Sequence, residues 1–227
     1  MPLEIKIKNI LILCPLKLEL EFLLARLKEK LVVLNEERAG NLKVLSAPLL
    51  NMKFSLAGHG KTQFGIQTQF LISHYKEIEA IFCIGCAGGL SDKLSIGDIV
   101  VAEKTLEHDF KLRFFTKPIP EFLGDPEWLQ KISSLNMKSV HFGIIASGDE
   151  DIVDTDRAAE IRLQTGALAV AWEGAGGARA SQFNSLPFVE IRGITDLADL
   201  DVTKDFKTKL QFAMNQVADL LLLISKY

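Results

Sequence analysis

The sequence predicts an α/β fold built on a mostly parallel, helix-covered sheet, and three observations carry that reading. Short apolar runs rich in β-branched residues alternate with amphipathic segments along the chain, the pattern of strand–helix–strand units. No low-complexity linker, composition break or internal repeat divides the 227 residues, a length that one large domain can fill. Hydrophobic residues make up 48% and charged residues 24%, the ordinary balance of a soluble globular protein. One α/β domain over 1–227 is the expectation.

The elements follow in order. "KNILILC" places the first strand at 8–14, and a helix follows at 17–30. Glu19 and Glu21 fall near its start, where the helix dipole favours carboxylates. Strands are expected at 43–47 and 52–58. "LAGHGKTQFGIQTQFLI" (56–72) then turns through Gly58 and Gly60 into an amphipathic helix at 61–76. It lacks the third glycine of a dinucleotide fingerprint. Lys61 stands at that helix start, where a cation is unfavourable without an anion nearby; a lysine in solvent is the ordinary account. His59, between the two glycines, is either exposed or a ligand contact. "CIGCAGGLSDKLSIGDIVV" (83–101) reads as the end of a strand at 80–85, a turn at Gly88 and Gly89, and a strand at 98–103. A helix at 125–134, a strand at 140–146 and a helix at 154–164 come next. The apolar strand at 167–172 ends in Trp172 and Glu173, before the small residues of a helix at 174–184. A lone glutamate there is a helix-start carboxylate or a site residue. Finally, the strand at 187–193 opens into "RGITDLADLD" (192–201), ahead of a closing helix at 203–226. In such sheets ligands bind outside the carboxyl ends of the strands, and this acidic segment occupies one of those ends.

Charge and cysteine usage narrow the partners. A net charge of −3 gives no reason to expect nucleic acid or an anionic membrane. The longest apolar runs are too short to span a bilayer, and the N-terminus has no small-residue cleavage site. Three cysteines, Cys14, Cys83 and Cys86, make an odd set in apolar contexts, which argues against a disulfide framework and for the cytoplasm. A single CxxC without a second pair is a weak metal or redox signal. The three aspartates of the acidic segment have no histidine beside them for a metal. Of these, Asp196 comes first after the strand, where a pocket would be deepest. Asp199 would brace the loop, and Asp201 would be solvated near a helix start.

"AGGL…GDIVV", "SGD" at 147–149 and "IRGITDLAD" together resemble the nucleoside phosphorylase/nucleosidase superfamily and, within it, the 5′-methylthioadenosine/S-adenosylhomocysteine nucleosidases. The resemblance runs over 9–27, 56–73, 80–109, 143–152 and 168–215. It implies a three-layer α/β/α fold around a mixed, mostly parallel sheet, in a homodimer. It also implies hydrolysis of the adenine–ribose bond of a small purine nucleoside bearing a 5′ substituent, with no metal or organic cofactor. Residue by residue, Glu19 is implied to activate water, Asp196 to protonate the purine and Glu173 to hold the ribose 2′- and 3′-hydroxyls. Arg192 matches a neighbouring arginine, Ile152 a residue whose backbone reads the adenine edge, and Phe206 an aromatic of the 5′ pocket. Trp172, Cys86, Ala87, Gly88 and His59 complete the substrate-binding set.

The chemistry asks for such a set. A purine anion is a poor leaving group, so an acid must protonate nitrogen seven. The sugar then gains oxocarbenium character and a second carboxylate activates water. The chain also departs from the family pattern. Cys86 stands where a serine is usual, and Ala171 and Trp172 replace an acidic residue and a methionine. Asp151 lies where many members stack a phenylalanine on the base, and His59 where they place an apolar residue near the 5′ group. Three alternatives follow. Phosphorolysis needs cations around a dianion, but Cys83 and "PLKLELE" occupy their places. A changed 5′ tail, as in futalosine hydrolases, would pair its carboxylate with His59. A nucleoside-binding protein without catalysis is the third.

Overall fold

The computed structural model describes residues 9–114, 117–198 and 205–226. In Ile10–Cys14 (β1) five consecutive residues are buried, the mark of a strand covered on both faces. Ala80–Gly89 (β5) is nearly as buried, and Phe188–Asp196 (β10) is buried throughout although it carries Glu190, Arg192, Thr195 and Asp196. These three run parallel, β5 in the middle, with Ile12 and Val189 both opposite Phe82. Met52–Leu56 (β4) joins the outer side of β1 in parallel, and Leu42–Ala47 (β3) and Asn35–Ala39 (β2) continue antiparallel.

On the other side, β10 pairs antiparallel with Ile99–Glu107 (β6), and β6 pairs parallel with Val140–Ser147 (β8). Ala169–Ala171 (β9) pairs parallel with β8 and returns antiparallel to β5. The 10-stranded sheet therefore closes on itself through β5, β10, β6, β8 and β9, and β1, β4, β3 and β2 form an open wing. Glu121–Leu123 (β7) adds antiparallel to β6.

Helices cover both faces, sorted by strand alternation. Ile10, Ile12, Phe82 and Ile84 pack against Leu23 and Leu27 of Lys17–Glu29 (α1), Trp128 of Pro126–Ser134 (α3), and Leu210 and Val217 of Phe206–Ile224 (α6). The opposite set, Leu11, Leu13, Ile81 and Cys83, meets Phe64 and Leu71 of Lys61–His74 (α2) and Ala175 and Ala178 of Gly174–Phe183 (α5). Each such side chain of Leu, Ile or Phe size gives about 1.5–3 kcal/mol on burial. Thr155–Thr165 (α4) buries Ala158 and Ile161 in a smaller cluster with Ala146 and Val170. The result is the expected three-layer α/β/α arrangement around a mixed sheet. Its parallel ladders hold the core, and its antiparallel ladders lie in the wing, at the ring's closures and at β7. No helix of the described residues is long and apolar enough to cross a membrane.

Every strand and helix read from the sequence is present, with two added strands, a short 3-10 helix at Pro48–Leu50 and one correction. β2, sequence "NEERA", is mostly exposed and carries no apolar alternation to announce it. β7 has only 3 residues. The correction concerns Gly88 and Gly89, which do not form a turn. They continue β5, opposite Val170 and Ala169 of β9, with Asp196 of β10 beside Gly88. Their missing side chains matter because neighbours close in from both sides.

Candidate active site

The carboxyl ends of β1, β5 and β10 lie side by side, and a cavity of about 240 Å³ opens above them. Glu19, His59, Cys86, Ala87, Gly88, Ile152, Trp172, Glu173, Arg192, Asp196 and Phe206 all line it. Asp151 and Ala171, marked in the sequence as departures, line it too, as do Leu16, Glu150, Val170 and Thr195, which the sequence did not single out.

Glu19 is the third residue of α1 and is buried. Its Oε2 accepts the Leu16 N–H at 2.8 Å, the bond of an ordinary helix-start carboxylate. Its Oε1 reaches across to β5 and accepts the Cys86 N–H at 2.7 Å. Burial pushes its carboxyl above the usual range, against the pull of Arg192 and of the Cys86 N–H. A methyl group on Gly85 would lie 2.7 Å from both Glu19 Oε1 and Arg192 Nη1, so the bare backbone of β5 admits both groups. Burial, then Glu19, likewise pushes the Cys86 thiol well up.

Asp196 ends β10 and is buried. Its Oδ2 accepts the Thr195 hydroxyl at 2.8 Å and its Oδ1 the Ala198 N–H at 2.9 Å. A methyl on Gly88 would meet Oδ1 at 3.0 Å, which explains the small residue facing it. The readings of Asp199 as a loop brace and Asp201 as a solvated acid lie outside the described residues.

Glu173 is the N-cap of α5, but only its carbonyl bonds the helix; its carboxylate makes no cap bond and turns to other partners. Its Oε2 accepts Arg192 Nη2–H at 3.3 Å, and its Oε1 accepts the Gly60 N–H at 3.2 Å. His59 Nδ1 lies 2.9 Å from that same Oε1. The turn that delivers His59 needs Gly58 and Gly60, whose φ values are +82° and +83°. His59 also stacks on Trp172, ring centroids 4.1 Å apart, and its side chain is 49% exposed at the cavity mouth. Ser147 fixes this corner from below. Its hydroxyl donates to the Trp172 carbonyl at 2.7 Å and accepts the Ala175 N–H at 3.0 Å.

Lys61 is not a solvated loop lysine. Its Nζ pairs with Glu107 at 2.9 Å and with Asp109 at 2.5 Å, while Asp149 accepts its backbone N–H at 2.8 Å. These acids supply the anions that a cation at a helix start requires. Cys14, Cys83 and Cys86 are free thiols.

Sequence reasoning passed over Glu190. It is fully buried on β10, two residues before Arg192 and therefore on the same face. An acid and an arginine at that spacing inside an apolar strand were the available signal.

The sequence profile of the Phosphorylase superfamily matches residues 9–226. The 5′-methylthioadenosine/S-adenosylhomocysteine nucleosidase of Bacillus licheniformis is 31% identical over 215 residues, covering 88% of this chain and 92% of that one. Among solved structures, the nucleosidase of the same name from Neisseria meningitidis, in complex with methylthio-immucillin-A, superimposes with a TM-score of 0.83. It is 25% identical and covers 97% of this chain and 100% of its own. Futalosine hydrolase of Helicobacter pylori gives a TM-score of 0.85 at 22% identity, covering 97% of this chain and 99% of its own, a likeness of fold alone.

Proposed function

The chain belongs to the Phosphorylase superfamily and, within it, to the 5′-methylthioadenosine/S-adenosylhomocysteine nucleosidases, and on that premise we propose how its cavity hydrolyses the N-glycosidic bond of a 5′-substituted purine nucleoside and releases adenine. The observation that carries the proposal is the meeting of Glu19, in the first turn of α1 after β1, and Asp196, at the end of β10, over one cavity. Asp196 delivers a proton to nitrogen seven of the purine, so the base leaves neutral. The ribose becomes oxocarbenium-like, and Glu19 takes a proton from the water that attacks the anomeric carbon. The environments of the two acids differ, as this division of labour requires. Glu19 is held by two backbone N–H groups, and Asp196 by one hydroxyl and one N–H. Glu173 accepts hydrogen bonds from the ribose 2′- and 3′-hydroxyls, its orientation set by Arg192 and Gly60. The backbone of Ile152 reads the base, Cys86, Ala87 and Gly88 floor the cavity, and Phe206 borders the 5′ substituent.

One observation favours a variant of this reading with a polar 5′ tail. His59 and Trp172 form a stacked, half-exposed wall at the mouth, where an anionic or aromatic tail finds both a hydrogen-bond donor and a flat surface. Methylthioadenosine, S-adenosylhomocysteine and a nucleoside with a carboxylate tail, assayed side by side for released base and free sugar, test both readings. Release from the first two supports the main reading, and release from the third alone the variant. No release from any of them overturns the hydrolase.

A single domain over 1–227 is supported by the continuous sheet, and the cytoplasm by three free thiols. A homodimer is supported by the face of α2 and α5, where Ile66 is 65% and Phe183 83% exposed beside Phe70. Sedimentation that finds only monomer at micromolar concentration removes it.

A further inference from the structure

The structure buries three carboxylates, Glu19 and Glu173 in the cavity lining and Glu190 behind it, around one guanidinium, that of Arg192. The shortest bond Arg192 makes is to Glu190, from Nε to Oε1 at 2.9 Å. Its contacts with Glu173, the Cys83 sulfur and the Cys86 carbonyl all lie at 3.3–3.4 Å. Glu190 is itself fixed, since its Oε2 accepts the Thr105 hydroxyl at 2.5 Å. A methyl on Gly174 would lie 2.1 Å from that same oxygen. Glu190 therefore fills a slot between β6 and the start of α5 that only a glycine there leaves open. A buried acid costs free energy unless it is paired, and this one touches no part of the cavity.

We propose that Glu190 is a positioning residue: it aims the Arg192 guanidinium at Glu173 and takes up part of the positive charge that Arg192 presents to Glu19. The inference rests on the nucleosidase reading above. Geometrically, a guanidinium held at Nε by a rigid carboxylate can rotate little about its long axis, so Nη2 stays on Glu173 and the ribose grip stays in register. Electrostatically, Glu19 faces Cys14 on β1, Cys86 on β5, Glu173 ahead of α5 and Arg192 on β10. Arg192 is the one cation of that set, and Glu190 is the acid that shares it without entering the cavity. Without the Glu190 charge, more of the positive field reaches Glu19, which then ionises more readily and is a weaker base.

Glu190→Gln tests this, because the amide keeps the shape, can still accept from Arg192 Nε, and can donate to Thr105. The acid limb of the kcat/KM profile should move to lower pH by about half a unit or more. At the optimum, kcat/KM should fall about 10- to 100-fold, with the far-ultraviolet spectrum unchanged. A purely packing role would lower activity without moving the limb, so an unmoved limb in a folded variant overturns the proposal. Should Glu190→Gln not fold, Thr105→Val carries the test. It keeps every charge and releases Oε2, and it should raise KM for the nucleoside several-fold while leaving inhibition by free adenine unchanged. Unchanged KM in that variant also overturns the proposal. Wild-type enzyme in the same assay separates the two levels. No base release from it sinks the nucleosidase reading, whereas normal release with coincident profiles sinks only the role of Glu190.

Discussion

Replacing Glu19 by glutamine tests the reaction and the burial of its base in one variant. The carboxylate accepts two backbone N–H groups, Leu16 at 2.8 Å and Cys86 at 2.7 Å. An amide has one acceptor oxygen, so one of these buried donors must face an NH₂ group, at a cost of about 1–3 kcal/mol. Against this, the variant no longer buries a charge. The pH dependence gives the sign. Burial raises the carboxyl of Glu19 from its ordinary value of 4.5, so the folded protein holds that proton to higher pH than the unfolded chain. Glu19 thus contributes stability that is full below the unfolded value and is lost as pH rises through the folded one. Glutamine contributes no such slope. The melting-temperature deficit of Glu19→Gln should therefore be largest near pH 4 and shrink towards pH 7. Base release should fall about 10²–10⁴-fold, and in wild type its acid limb should lie above 4.5. Thermal unfolding and base release across that pH range read both. A deficit independent of pH refutes the burial argument, and near-normal turnover refutes the role.

Asp196→Asn keeps the bonds to Thr195 and Ala198, with the amide oxygen on the Ala198 N–H and the amide nitrogen on the hydroxyl, but has no proton to give. Base release should drop at least about a hundredfold, and normal turnover would remove this residue from the mechanism. Glu173→Ala should weaken nucleoside cleavage strongly while leaving the affinity for free adenine nearly intact, because the lost charge-assisted bonds go to ribose. Titration calorimetry with adenine decides it, since an equal loss for the free base would mean that Glu173 does not serve the sugar.

The sheet was legible because β1 and β5 are runs of buried, mostly apolar residues, and β10 begins as one, so their strand character needs no tertiary information. β2 was not, since "NEERA" pairs with β3 through its backbone and presents mostly exposed side chains. The site was legible where a polar residue interrupts an apolar run at a strand end, as at Glu173 and Asp196. What stayed hidden depends on approach between distant segments. His59 and Glu173 are 114 residues apart yet 2.9 Å apart in space. The glycines at 88 and 89 look like a turn in sequence, and only the neighbouring Asp196 and Val170 show why a strand needs them. Lys61 was misread for the same reason, because Glu107 and Asp109 reach it from the end of β6 and the residues that follow.

The charge balance of the cavity bears on which nucleophile it accepts. Among the described residues lining it, Arg192 is the one permanently cationic side chain, and Glu19, Glu150, Asp151, Glu173 and Asp196 are acids. Arg192 is already engaged by Glu190 and Glu173, and Lys61, next to the Gly60 that donates to Glu173, is held by Glu107 and Asp109. A phosphate dianion entering beside Glu19 would meet a carboxylate with no free cation among the described lining residues to offset it. Two like unit charges about 4 Å apart repel by about 4 kcal/mol at an effective dielectric constant near 20. The same excess of carboxylates stabilises positive charge on the sugar in the transition state. Water, being neutral, escapes the repulsion and keeps the stabilisation. Base release should therefore proceed at the same rate with and without 50 mM phosphate, taken as roughly a physiological-to-excess level at which surface charge is screened but a buried pair is not. Acceleration by phosphate, with sugar 1-phosphate among the products, would show that a cation reaches the cavity by a route this charge balance leaves out.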